Sequence, residues 1–141
     1  MGRFESLVPI ANAAFKRYAT RPLHQLSEAD QTVILIWSLQ GEVGNGGFDQ
    51  FYYNSSGDHA EATVQALDRI GANRTAAIVA EANGLFPTQP PAAERDRRVA
   101  ELDRFTDSAA ETWDRLEREF YADPDGLNEL LAAYLECIVD D

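Results

Sequence analysis

The sequence predicts an all-α fold: a compact multi-helix single domain, residues 1–141, with a Gly-rich turn between its central helices. Three observations carry this. Apolar residues recur at three- and four-residue steps along most of the chain, glycine, proline and capping residues punctuate those stretches, and no stretch alternates apolar with polar residues as a half-buried strand does. A chain of 141 residues is the length of one domain. It can bury close to two-thirds of its unfolded surface and needs no metal or disulfide to hold it together. A hydrophobic fraction of 45% and an aromatic fraction of 10% exclude a disordered acidic tail, which would be poorer in both.

Phe4, Leu7, Val8, Ala11, Ala14, Phe15 and Tyr18 form one stripe of a first helix, which Pro22 and the following loop end. Ser27-Glu28-Ala29-Asp30 reads as a capping box. The helix it starts carries Val33, Ile34, Leu35, Ile36, Trp37 and Leu39, apolar nearly all round, so it is expected at the buried centre. Those few residues alone would suit a strand, but the cap and the Glu42 end favour a helix. Gly44-Asn45-Gly46-Gly47 is a break, because glycine and asparagine tolerate positive φ, and a short aromatic helix from Phe48 to Tyr53 follows. Ser55 and Ser56 offer an N-cap for a helix bearing Ala60, Val64, Leu67 and Ile70, which Gly71 stops. Asn73 can cap the next, with Ala77, Ile78, Ala82 and Leu85 inward.

Pro87 to Pro91 makes a stiff exposed connector. A long amphipathic segment runs from about Glu94 to Tyr121, with a possible break near Thr106, and Pro124-Asp125-Gly126 interrupts the chain after it. The last helix places Leu127, Leu130, Leu131, Tyr134, Leu135 and Ile138 on one face, with Cys137 at its edge as a core residue.

Much chemistry is absent. His24 and His59 lie in no Cys/His spacing that zinc needs, and the single cysteine allows no intramolecular disulfide, so neither a metal nor a cofactor is expected. The glycine run lacks the lysine of a phosphate loop and lies between Glu42 and Asp49, which repel phosphate. No catalytic residues stand out. No signal core and no membrane-length apolar run is present, so the cytoplasm is the expected compartment and no membrane is expected as partner.

Twelve basic against twenty-four acidic residues give a net charge of −12. That excess repels nucleic acid and attracts a basic protein surface. It is also unevenly placed. Residues 1–93 hold nine acids and six bases, net −3, whereas residues 94–141 hold fifteen acids and six bases, net −9. On a helix of about 100° per residue, Asp96, Asp103, Asp107 and Asp114 fall within about 20° of one line, with Glu111 about 60° to one side. Leu102, Phe105, Ala109, Trp113, Leu116 and Phe120 fall opposite. A second acidic row can come from Asp123, Asp125, Glu129, Asp140 and Asp141, or from a dimer mate. The i,i+4 pairs Glu111–Arg115 and Asp114–Arg118 would partly neutralise the stripe.

The most distinctive stretch runs from Glu42 through Gly44-Asn45-Gly46-Gly47-Phe48-Asp49-Gln50 and an aromatic run to Asn54-Ser55-Ser56-Gly57-Asp58. Asn45, Asp49, Gln50 and Asn54 are expected to cross-link this turn by side-chain-to-backbone hydrogen bonds, with Phe48, Phe51 and Tyr52 anchoring it. With Ile70-Gly71-Ala72, this pattern resembles a bacterial family of acidic all-helical domains of largely unknown function that includes a DNA-mimic protein. The match is specific over about residues 37–72, and Gly44 stands where the family more often has asparagine.

The resemblance implies an all-α homodimer whose acidic surface occupies the DNA-binding face of a basic regulator. Asp96, Asp103, Asp107, Glu111 and Asp114 are the expected phosphate-mimicking residues. The alternative is a small-molecule or enzymatic site at the glycine turn, using Glu42, Asn45, Asp49 and Gln50 over an aromatic floor.

Overall fold

A computed structural model describes the backbone of residues 3–140 and the side chains of residues 6–138. The chain is all-α, with helices α1 (Arg3–Tyr18), α2 (Glu28–Tyr53), α3 (Ala60–Arg69), α4 (Asn73–Asn83), α5 (Arg95–Phe105), α6 (Ala110–Tyr121) and α7 (Leu127–Asp140), and no strand among the described residues. No helix among them is long and apolar enough to cross a membrane. α2 is the centre, in contact with α1, α3, α5, α6 and α7. It is central because Val33, Ile34, Leu35, Ile36 and Leu39 bury side chains on every side of it, which only an enclosed helix can do. Ser27 starts it as expected, its Oγ accepting the Asp30 N–H at 3.1 Å.

The glycine break is narrower than the sequence suggests. Helical geometry continues through Asn45, and only Gly46 (φ −148°, ψ 17°) and Gly47 (φ 75°, ψ −172°) leave it. Gly44 is an ordinary helical residue with open space around it. The short arm from Phe48 to Tyr53 then resumes, carrying the buried rings of Phe48, Phe51 and Tyr52. Phe48 stacks on Trp113 with ring centroids 5.7 Å apart, and Tyr52 meets Phe86 at 4.7 Å, so this arm joins α2 to α6 and to the connector after α4. The buried Tyr52 hydroxyl donates to Asn83 Oδ1 at 2.5 Å.

Elsewhere the apolar patterns hold except at Ala77 of α4 and Ile138 of α7, which are exposed and not inward as expected, and several expected caps do not form. Leu7, Ala11 and Ala14 of α1 are buried, while Phe4 lies outside the described side chains. Residues 55–59 form a 3-10 turn, so Ser55 and Ser56 do not cap α3; the Ser56 hydroxyl donates to the Phe51 carbonyl at 2.7 Å. Asn73 is likewise no cap, because it already lies inside α4. The acceptor at that helix start is remote: Asp125 Oδ2 takes the Thr75 N–H at 2.6 Å and its hydroxyl at 2.9 Å.

The proline connector is held rather than loose. Pro91 is buried, and the Gln89 amide donates to the carbonyls of Asn83 (2.8 Å) and Phe86 (2.7 Å). In α7, Leu127, Leu131 and Leu135 are buried, but Cys137 is exposed and not the core residue expected. It follows Leu135 by two residues, about 200° of helix rotation, and so faces away from the core.

His59, immediately before α3, gives the fold a pH dependence. Burial pushes its pKa below the ordinary 6.5; neighbouring Asp58 opposes this and Arg98 adds to it. The unfolded chain therefore takes up this proton first as the pH falls, and stability present above pH 6.5 is lost below it, down to the folded-state value. The denaturation midpoint is expected to drop between about pH 7 and pH 5.5, and to drop less in His59→Gln. Parallel urea curves for the two proteins would remove His59 as the cause.

Candidate functional site

The acidic segment folds as two helices. α5 ends at Phe105, residues 106–109 turn, and α6 starts at Ala110. The single line of aspartates over an unbroken helix is therefore not what the chain forms. Asp96 and Asp103 lie on α5, Asp107 lies in the turn, and Glu111 and Asp114 lie on α6. All five are exposed. The inward set was read correctly: Leu102, Ala109, Trp113, Leu116 and Phe120 are buried and Phe105 is partly so.

The glycine-turn segment holds this corner from three directions. From one, Arg98, 0% exposed, reaches back from α5. Its Nε donates to the Tyr52 carbonyl at 2.7 Å and its Nη2 to the Asn54 carbonyl at 3.0 Å. Nη1 donates to the carbonyls of Ala92 (2.9 Å) and Ala93 (3.2 Å). Asp58 Oδ1 lies 2.9 Å from Nη2 but makes no hydrogen bond, so it balances the charge without extending the bonding network. Gly57 makes room for this arrangement, since a Cβ there would lie 2.6 Å from Arg98 Nε and 2.9 Å from the Tyr52 backbone.

From the second direction, Glu117 of α6 accepts the Phe48 N–H at 3.0 Å, placing a negative charge at the start of the aromatic arm. A methyl on Gly47 would lie 2.3 Å from that carboxylate at a φ of 75°, so glycine is required there on both counts. From the third, Asp49 accepts the Thr106 hydroxyl at 3.0 Å, and Thr106 Oγ1 accepts the Trp113 indole N–H at 3.3 Å. Asp49 thus fixes the turn between α5 and α6.

The remaining turn residues bond to one another instead of to backbone, contrary to expectation. Glu42 Oε2 accepts from Gln50 Nε2 at 2.8 Å and from Asn54 Nδ2 at 2.9 Å, and Asn45 Nδ2 donates to Gln50 Oε1 at 3.2 Å. Glu42, Asn45, Asp49 and Gln50 each already have a side-chain partner. A reactive or ligand-binding turn would need such groups turned toward an incoming molecule. Among the described residues, no three His, Cys, Asp or Glu side chains gather in a way that could hold a metal ion.

The acids of the C-terminal third divide by position. Glu94 caps α5 through the Asp96 N–H at 3.1 Å, and Glu101, 6% exposed, takes the Thr88 N–H and hydroxyl, each at 3.0 Å. Asp123 accepts the Leu127 N–H at 3.0 Å at the start of α7. With Glu117 at Phe48 and Asp125 at α4, these carboxylates terminate backbone segments. Asp125, half-buried, therefore does not supply an outward second row, whereas Asp123 stays exposed while it caps α7, and the side chains of Asp140 and Asp141 lie outside the described residues.

By contrast, the side chains of Asp103, Asp107, Glu111 and Asp114 make no hydrogen bond or ion pair among the described residues, and that of Asp96 has only Arg95 at 3.9 Å. The two i,i+4 pairs expected to neutralise this face do not form. Arg115 pairs with Glu81 of α4 and with Glu119, leaving Glu111 to solvent. Arg104 and Arg118 share the exposed surface with these acids.

Sequence reasoning missed Arg98, Glu101 and Glu117, although a signal was present. Arg98 sits in the same helical register as Leu102 and Phe105, and Glu117 as Trp113 and Phe120, so charged residues occupied inward positions. Buried charge at such a position implies an engaged group.

The family model described as DMP19-like protein matches residues 24–138 of the chain. No curated protein and no solved structure matches it.

Proposed function

The chain belongs to the DMP19-like protein family, and from that premise we propose that it is a non-enzymatic acidic binding protein that takes the place of DNA on the DNA-binding face of a basic regulator. The observation that carries this reading is the division among the acids. Those that hold the fold together face backbone N–H groups, while Asp96, Asp103, Asp107, Glu111 and Asp114 face solvent around the α5–α6 corner. Proteins that read duplex DNA meet its phosphates with Lys and Arg, and outward carboxylates offer those cations the same kind of partner. Three side chains of the glycine-turn segment or its partners, Asp49, Glu117 and Arg98, hold the corner in place, so the acids are presented on a pre-shaped surface. A homodimer, as the resemblance implies, would present the face twice to a two-fold partner.

The test is capture from native lysate on the immobilised chain at about 50 mM salt, followed by elution with duplex DNA or with about 0.5 M salt. Basic DNA-binding proteins should be retained and should leave with either eluent. Retention indifferent to both salt and duplex would overturn the reading.

A further inference from the structure

A cavity of about 140 Å³, more enclosed than the surface grooves, lies between the end of α1, the middle of α2, the 3-10 turn and the start of α3. It is separate in composition from the acidic face and contains none of its five acids. Phe15, Tyr18 and Phe51 supply aromatic wall, and Ser38, Ser55 and His59 bring polar groups to it. An apolar cavity of roughly 150 Å³ is large enough for benzene. This one is similar in size but chemically mixed.

Its hydrogen-bonding capacity is unevenly filled. The hydroxyls of Ser56 and Thr63 are taken by the carbonyls of Phe51 (2.7 Å) and His59 (2.8 Å). The Tyr18 hydroxyl and His59 Nε2 stand 3.4 Å apart, at the long limit of a hydrogen bond. Ser38 and Ser55 make no side-chain hydrogen bond among the described residues. No carboxylate or cationic side chain lines the cavity. Nearby Asp58 is paired with Arg98 at 2.9 Å, and burial favours the neutral imidazole of His59.

We infer that this cavity is a binding site for a neutral single-ring molecule bearing one hydroxyl, the ring against Phe15 and Phe51 and the hydroxyl bridging Tyr18 and His59. The aromatic wall selects for ring size. At 3.4 Å the Tyr18–His59 contact is a weak one, so an oxygen placed beside the pair can replace it, accepting from the Tyr18 hydroxyl and donating to His59 Nε2. A charged ligand is disfavoured because its desolvation would meet no opposite charge.

The full chain is titrated at neutral pH with phenol, benzene, benzoate and 2-naphthol, followed by two-dimensional NMR. Phenol should give saturable shifts at Tyr18, Ser38 and His59, and benzene should bind about tenfold more weakly for want of the hydrogen bond. Benzoate should be excluded by its charge and 2-naphthol by its size. Ser38→Leu, which fills the space, should abolish binding, and His59→Phe should bring phenol and benzene to similar affinity. Failure of phenol to saturate, or equal binding of phenol and benzene by the unmodified chain, would overturn the assignment. Because the unmodified chain alone decides these, a variant that does not fold leaves the outcome intact.

Discussion

Arg98→Ala is expected to destabilise the protein by about 4 kcal/mol, the scale seen when one partner of a buried charged network is removed. The midpoint of thermal unfolding should fall by on the order of 10–15 °C for a chain of this size. The guanidinium donates to four carbonyls, those of Tyr52, Asn54, Ala92 and Ala93, and no water can reach a side chain that is 0% exposed to replace it. Truncation leaves these acceptors facing a void and removes the link between the glycine-turn segment and α5. Arg98→Lys separates charge from geometry. It keeps the charge beside Asp58, but a single ammonium cannot reproduce the planar fork, so it should recover less than half of the loss. Asp58→Asn should cost far less than either, because the four carbonyl bonds survive. Calorimetry on the three variants decides it; full recovery by lysine would mean that the charge pair, not the carbonyl clamp, holds the corner.

Changing Asp103, Asp107 and Asp114 together to asparagine is expected to weaken binding of the captured basic partner by about 100-fold or more near 0.1 M salt, with no loss of stability. Asparagine keeps the shape and removes three charges, taking the net charge from −12 to −9 and easing self-repulsion. None of the three makes a hydrogen bond or ion pair that the fold would lose. The opposite behaviour is expected of acids that terminate backbone segments. Glu117→Ala and Asp125→Ala should each cost about 1–2 kcal/mol, as lost helix caps do, while the folded fraction still binds. Competition against a labelled duplex for the captured partner, run beside thermal melts, measures both properties. A triple variant that competes as well as the unmodified chain would remove the α5–α6 corner as the binding face.

The inward positions were readable because apolar residues repeat with the helix period. Leu102, Trp113, Leu116 and Phe120 are buried where that period puts them, and the segment divides into two helices at the break expected near Thr106. Ser27 was readable because its partner, the Asp30 N–H, is three residues away. The caps at Thr75 and Phe48 were not, since their acceptors lie 50 and 69 residues off in sequence. The five outward acids were nominated from a helical wheel that the break at residues 106–109 invalidates, yet all five are exposed. Each of the two shorter helices keeps its own inward line, so Asp96, Asp103, Glu111 and Asp114 still face solvent, and Asp107 does so from the turn between them.

The all-α class, the central place of residues 33–39 and the concentration of charge after residue 93 follow from the sequence alone, because composition and periodicity are local properties. Which acids shape the protein and which face solvent was decided only by the tertiary structure. A carboxylate has the same charge whether it ends a helix or meets water. What separates Glu117 from Glu111 is the Phe48 N–H that folding brings to within 3.0 Å of one and not of the other.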